Sequence, residues 1–161
     1  MRPPHIAPAF RIESTTLYNN TNGRLYIERS HIELIDTNFT QNRNQAIYAY
    51  ETHVTFSGNN TFAFNTGGLG AITLLGCEVY FYGNSKSIGN NGKVNGAIAA
   101  RYTKLRFDEN THIFVDNEGD VGGAIGLDNS KLEFGGYVPT YITVIRNQAE
   151  TAGCAILRKF L

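Results

Sequence analysis

The tightest acidic run in this chain is Asp116-Asn117-Glu118-Gly119-Asp120, which resembles the start of a calcium-binding loop. Such a loop closes on a bidentate glutamate, and Leu127 stands in that place. The run therefore reads as a solvated turn. The four histidines, His5, His31, His53 and His112, are scattered, and a metal centre needs at least three converging protein ligands. No metal, no cofactor and no catalytic set is expected. Three Asn-x-Thr tripeptides, at Asn19, Asn38 and Asn59, are candidate N-glycosylation acceptors. The two thiols, Cys77 and Cys154, are read below from their places in a repeat.

That repeat is carried by an asparagine that recurs three residues after a large apolar residue. The pairs are Leu17–Asn20, Phe39–Asn42, Phe62–Asn65, Ile88–Asn91, Phe114–Asn117 and Val144–Asn147. Two further columns keep step with it. Ile12, Leu34, Phe56, Phe81, Phe107 and Phe134 form one; Leu25, Ile47, Ile72, Ile98, Ile125 and Ile156 form the other. A fixed motif on a drifting period of twenty-odd residues marks a solenoid. Around the first of these columns the pattern alternates, as in Val54-Thr55-Phe56 and Val79-Tyr80-Phe81, which is the period of a strand with one face buried. No stretch carries a sustained helical stripe. The expected fold is all-β: a single-stranded parallel β-helix of about six coils, three short strands per coil, in one domain over residues 1–161 with repeats from about residue 10.

Gly23, Gly70, Gly96 and Gly123 stand two places before the third-column residue, and the place just before that residue holds Ala46, Ala71, Ala97, Ala124 and Ala155, with Arg24 as the exception. These glycines are expected to turn the corner at positive φ. Gln45 and Cys154 replace them in two coils, whose corners should differ. The asparagines Asn20, Asn42, Asn65, Asn91, Asn117 and Asn147 are expected to form an internal amide ladder, of the kind that stabilises stacked strands. On this reading Asn91 carries a rung and Asn90 faces out. Asn19 then lies in an outward column, Asn38 lies at a turn, and Asn59 shares its place with Asn84 and Asn110 in what reads as a second inward ladder. Cys77 and Cys154 fall in different columns three coils apart, roughly 14 Å by strand spacing, so both are expected to be free thiols.

The residues so arranged resemble the FxxN and GGAI repeat of the chlamydial polymorphic outer membrane proteins. Phe39–Asn42, Phe56–Asn59, Phe62–Asn65, Phe81–Asn84, Phe107–Asn110 and Phe114–Asn117 match the first motif. Gly122-Gly123-Ala124-Ile125 matches the second in full, and Leu69–Ile72, Asn95–Ile98 and Gly153–Ile156 match with one change. The resemblance implies a right-handed parallel β-helix displayed outside a cell, adhesive or architectural. Chlamydial members also carry a C-terminal membrane barrel and a secretion signal, which this sequence does not show.

Composition narrows the roles further. The chain has 161 residues, 14 basic and 14 acidic, with 42% hydrophobic residues. There is no basic patch for nucleic acid and no apolar run long enough to span a membrane. Met1-Arg2-Pro3-Pro4 leads into no apolar segment, so a leader has been removed or the chain is part of a larger protein. The outward column Arg11, Glu33, Thr55, Tyr80, Arg106, Glu133 sets no acid pair in neighbouring coils, as a glycosidase would need, and holds too few threonines for an ice-binding face. The expectation is a non-catalytic extracellular or cell-surface repeat protein. Its partners are copies of itself through uncapped coil ends, with N-linked glycans on the sequons. An adhesin-type ectodomain that binds a receptor or glycan is the alternative, and a polysaccharide lyase or hydrolase a distant one.

Overall fold

A computed structural model describes residues 10–21, 24–137, 139–151 and 153, and the backbone of 156–159. Among these the structure is all-β and has no helix. Three parallel sheets of six strands each run the length of the solenoid, with about five turns from first rung to last. The first sheet is built from Phe10–Glu13, His31–Ile35, His53–Ser57, Glu78–Phe81, Lys104–Asp108 and Lys131–Gly135. The second stacks Thr16–Tyr18, Asn38–Thr40, Asn59–Ala63, Asn84–Ile88, Thr111–Val115 and Tyr141–Ile145. The third stacks Leu25–Glu28, Ile47–Tyr50, Ile72–Leu75, Ile98–Arg101, Ile125–Asp128 and Ile156–Lys159.

Alternation along each strand sends one set of side chains into a core shared by all three sheets. Two of the sequence columns hold without a slip. Ile12, Leu34, Phe56, Phe81, Phe107 and Phe134 are register partners in the first sheet. Leu25 to Ile156 are partners in the third. Because each residue stacks on its own equivalent, the inward phenylalanines stack face to face. Ring centroids are 4.4 Å apart for Phe56 and Phe81, 4.7 Å for Phe81 and Phe107, and 5.2 Å for Phe39 and Phe62. Such pairs add about 0.5–1.5 kcal/mol each beyond their burial.

The corners are built on a repeated device. Between the second and third sheets, the residue before each ladder asparagine takes a left-handed conformation: Asn19, Gln41, Phe64, Gly89, Asp116 and Arg146, with φ from 51° to 59°. That conformation reverses the in–out alternation, so the next side chain turns back into the core. For a non-glycine residue it costs roughly 1–2 kcal/mol. The asparagine that follows offsets this. Asn65 shows the pattern: its Nδ2 donates to Asn90 Oδ1 at 3.0 Å and to the Phe39 carbonyl at 2.8 Å, while its Oδ1 accepts from the Asn42 backbone and Nδ2. All four hydrogen-bonding positions of the amide are filled. The ladder runs Asn20, Asn42, Asn65, Asn90, Asn117, Asn147, with separations of 22, 23, 25, 27 and 30 residues.

The fourth rung is therefore Asn90, and the expectation of Asn91 is corrected. The register pairs Ser87, not Ile88, with Phe62 and Phe114. Ser87 is the buried inward residue of this coil, and Asn91 is exposed, donating to Glu118 at 3.1 Å. A large apolar neighbour was the wrong anchor in this one coil, because a serine occupies the inward place.

The glycines are also corrected. Gly70 and Gly96 are not in the left-handed region. They are required by close approach: a Cβ on Gly96 would lie 2.6 Å from the Glu118 nitrogen and against the Gly123 carbonyl. Gln45, which replaces glycine in its coil, does adopt φ 87°, so that corner differs as expected. Its buried amide donates to Thr73 Oγ1 at 2.9 Å. Gly23, Cys154 and Ala155 lie outside the described residues.

A second ladder, which the sequence reading did not identify, holds the corner from the third sheet to the first. After left-handed Arg29, Glu51, Gly76, Tyr102 and Asn129 come Ser30, Thr52, Cys77, Thr103 and Ser130. Each donates from its side chain to the carbonyl two residues before. Thr103 Oγ1 and Ser130 Oγ also accept from the backbone nitrogen of the preceding coil, each at 3.1 Å. Cys77 thus fills a hydroxyl position; it is buried and unbridged, and burial raises its pKa.

Asn90→Ala removes four side-chain hydrogen bonds and strands buried partners in two neighbouring coils, so it should destabilise by about 3 kcal/mol or more. Asn91→Ala loses one exposed contact and should stay within about 0.5 kcal/mol. Urea-unfolding midpoints of the two variants check this; equal midpoints would remove the ladder from its assigned place.

Candidate functional site

The residues singled out from the sequence are mostly committed to the frame. In the acidic run, Asp116 takes two hydrogen bonds from Arg146, both 2.7 Å, Asn117 is a buried rung, and Glu118 accepts from Asn91. Glu118–Gly119 pairs with Gln148–Ala149 as a short parallel ladder. Asn19 and Asn38 are exposed. Asn59 is exposed too, correcting the second inward ladder. Its backbone nitrogen donates to Asp36 at 2.7 Å, and its Oδ1 accepts from Asn84 at 3.0 Å. The register takes Thr111, not Asn110, as the next partner. The buried column beside it is Thr37, Asn60, Ser85 and His112.

On the outer face of the first sheet, His31, His53, Glu78, Lys104 and Lys131 share one column. The two histidine rings meet edge to face at 4.4 Å, and His53 Nδ1 lies 3.6 Å from Glu78. Burial and the neighbouring His31 lower the pKa of His53. The Tyr80 hydroxyl and then Lys104 hold Glu78 below the usual carboxylate range. Lys104 lies 3.5 Å from both Glu78 and Glu133, and Lys131 also reaches Glu133. Through Glu133 of the neighbouring column, the contacts alternate in sign along Glu78, Lys104, Glu133 and Lys131 and neutralise one another. This face is a cross-strand ion-pair lattice, in which no two carboxylates stand free to share a proton.

The outer face of the third sheet is different. Along one column the side chains shrink from Tyr48 through Thr73 and Ala99 to Gly126. The result is a trough of about 420 Å³ running along the solenoid axis, within the range of small-molecule sites. Its floor is Thr73, Ala99 and Gly126, and Tyr48 closes one end. One wall is the neighbouring outward column, where Arg101 and Asp128 pair at 3.1 Å. The other wall is made by loops bearing Leu69, Val94 and Val121. Those loops stack like strands: Lys93 N donates to Gly68 O at 2.9 Å, Asn95 N to Leu69 O at 2.7 Å and Val121 N to Val94 O at 2.9 Å. The wall is therefore preorganised. Asn95 lies over Gly122 and Gly126, only 7% exposed, and its Oδ1 has no hydrogen-bond partner. A buried polar atom without a partner costs about 1–3 kcal/mol. The sequence signal was present in the extra residues at Lys93-Val94 and Glu118 to Val121, but it marked only longer turns.

No family model matches the chain, and no curated protein or solved structure matches it significantly.

One buried group gives the molecule a pH dependence. His112 faces inward in the second sheet, fully buried against Phe107 with ring centroids 4.7 Å apart, and its Nδ1 is 2.9 Å from Ser85 Oγ. Burial lowers its pKa to about 4. The unfolded chain takes up this proton near pH 6.5 and the folded chain does not. Stability is thus complete above about pH 6.5 and falls as pH drops toward 4, by about 3 kcal/mol. Unfolding midpoints across that window should slope for the native chain and flatten for His112→Leu; parallel slopes would assign the pH dependence to other groups.

Proposed function

We propose that this chain is a non-catalytic structural repeat module, displayed outside the cell, whose coils add end to end into a stalk or fibre. The observation that carries the reading is the state of the outer rungs. Phe107 and Phe81 are sealed in the core, while Phe134, their equivalent in the last rung, is 55% exposed. At the other end Phe10, a register partner of buried Ile32, is 63% exposed. Leu132, Ile142 and Val144 are likewise only partly covered. Exposed inward columns and strand edges at the ends of a solenoid are surfaces that another coil would cover.

The ladder gives those surfaces a direction. Every amide oxygen from Asn42 onward accepts from the rung before it. A rung laid before Asn20 would donate to it, and one laid after Asn147 would accept from it. Contact is then head to tail, the kind that propagates into filaments. The repeat's resemblance to the chlamydial surface proteins supports display outside the cell. In a eukaryotic secretory pathway, N-linked glycans would sit on exposed Asn19 and Asn38 first. Asn59 follows, since its amide is already engaged by Asp36 and Asn84.

Electron microscopy and light scattering of the purified chain test the proposal. Filaments or axial multimers that grow with concentration are expected, and Phe134→Lys should stop growth while leaving the strand signal of the monomer intact. A monodisperse rod at high concentration would overturn it.

A further inference from the structure

The trough on the third sheet is not used by coil stacking, and a single solenoid would carry it whether or not copies assemble. We infer that it binds an N-acetylhexosamine unit. Three observations select that chemistry.

The first is the Asn95 amide, nine-tenths buried at the trough with no partner for its Oδ1. Oxygen and nitrogen of such an amide exchange places with little change of shape, so it can present a donor or an acceptor. An acetamido group carries both an N–H and a carbonyl, and pairs with either orientation. The second is the aliphatic wall of Leu69, Val94 and Val121, fixed by backbone bonds between successive loops. It has no polar side chain to engage a bare hydroxyl but suits an acetyl methyl. The third is charge. The two ionic groups at the trough, Arg101 and Asp128, are paired with each other. A charged ligand would have to break that pair, whereas a neutral sugar leaves it intact and can hydrogen-bond to its outer atoms. Tyr48, whose ring stacks on Tyr26 and lies 4.8 Å from the Arg24 guanidinium, closes the end of the trough.

The trough crosses the rungs of Thr73, Ala99 and Gly126, a floor of about 10 Å at ordinary strand spacing, which is longer than one ring. Titrations with N,N′-diacetylchitobiose and cellobiose, read by amide chemical shifts or calorimetry, separate the acetamido groups from the shared sugar skeleton. The acetylated disaccharide should bind in the millimolar range or tighter, with cellobiose at least about fivefold weaker. Ala99→Leu, which fills the floor, and Val121→Asp, on the part-exposed wall, should each abolish binding. Asn95→Ala should weaken it about fivefold or more, and Lys86→Ala on the second sheet should not change it. Retained strand circular dichroism shows that each variant is folded. No binding by either sugar, equal binding by both, or binding unaffected by Val121→Asp in the folded variant would overturn the inference.

Discussion

The asparagine ladder is the constraint on which the rest of the solenoid depends. A coil can close only if its chain turns sharply between the second and third sheets, and the turn places a left-handed residue there in every rung. Five of those six residues are not glycine, so the turn opposes local preference. It persists because the next side chain is an amide that, from Asn42 to Asn117, fills all its hydrogen-bonding positions with neighbours above and below. The bonds bind one coil to the next, so the energy that holds a corner belongs to the stack and not to the single coil. That is why a repeat of this kind gains stability with number and is weakest at its last rungs.

The hydroxyl ladder at the opposite corner follows the same logic with smaller groups. Ser30, Thr52, Cys77, Thr103 and Ser130 each return to a carbonyl two residues back, across the intervening left-handed residue. A thiol can stand in this column because its geometry asks only for a short donor. The inward aromatic columns then settle between two hydrogen-bonded corners. Their face-to-face stacking is a consequence of register, since equivalent residues are set one strand spacing apart.

These relations explain what could be read in the sequence. Columns occupied by bulky apolar residues, from Ile12 to Phe134 and from Leu25 to Ile156, were legible because size and spacing coincide. The coil of Asn90 was misread by one place, because Ser87 faces in and Ile88 does not. Hydropathy carries no information about direction when a small polar residue is held inside by its neighbours. The glycines of the Gly-Ala-Ile corner were visible, but their cause was not. Sequence cannot distinguish a glycine needed for positive φ from one needed because two backbones touch. The trough was the least legible feature, since it depends on the shrinking of Tyr48, Thr73, Ala99 and Gly126 across four coils that are far apart in the chain.

The lengthening of the coils joins the frame to the site. Successive ladder asparagines stand 22, 23, 25, 27 and 30 residues apart. The three sheets take strands of nearly constant length, so the added residues must leave the coil at the corners. Beside Val94 and Val121 they do not leave as free loops. They hydrogen-bond from coil to coil and fold back over the third sheet. The floor beneath them must then be small, and it is: Ala99 and Gly126 leave the space that larger outward side chains would fill. Gly126 could not carry a Cβ, since the Asn95 amide already lies there. Insertion and recession occur in the same coils, and together they turn a flat sheet face into a walled trough. The amide of Asn95 is enclosed by that arrangement without a partner for its oxygen, in a molecule whose ladder asparagines from Asn42 to Asn147 are fully bonded. A frame that satisfies the ladder amides from Asn42 to Asn147 and leaves this enclosed one open has set it apart from the structural set, which is the physical ground for placing recognition there.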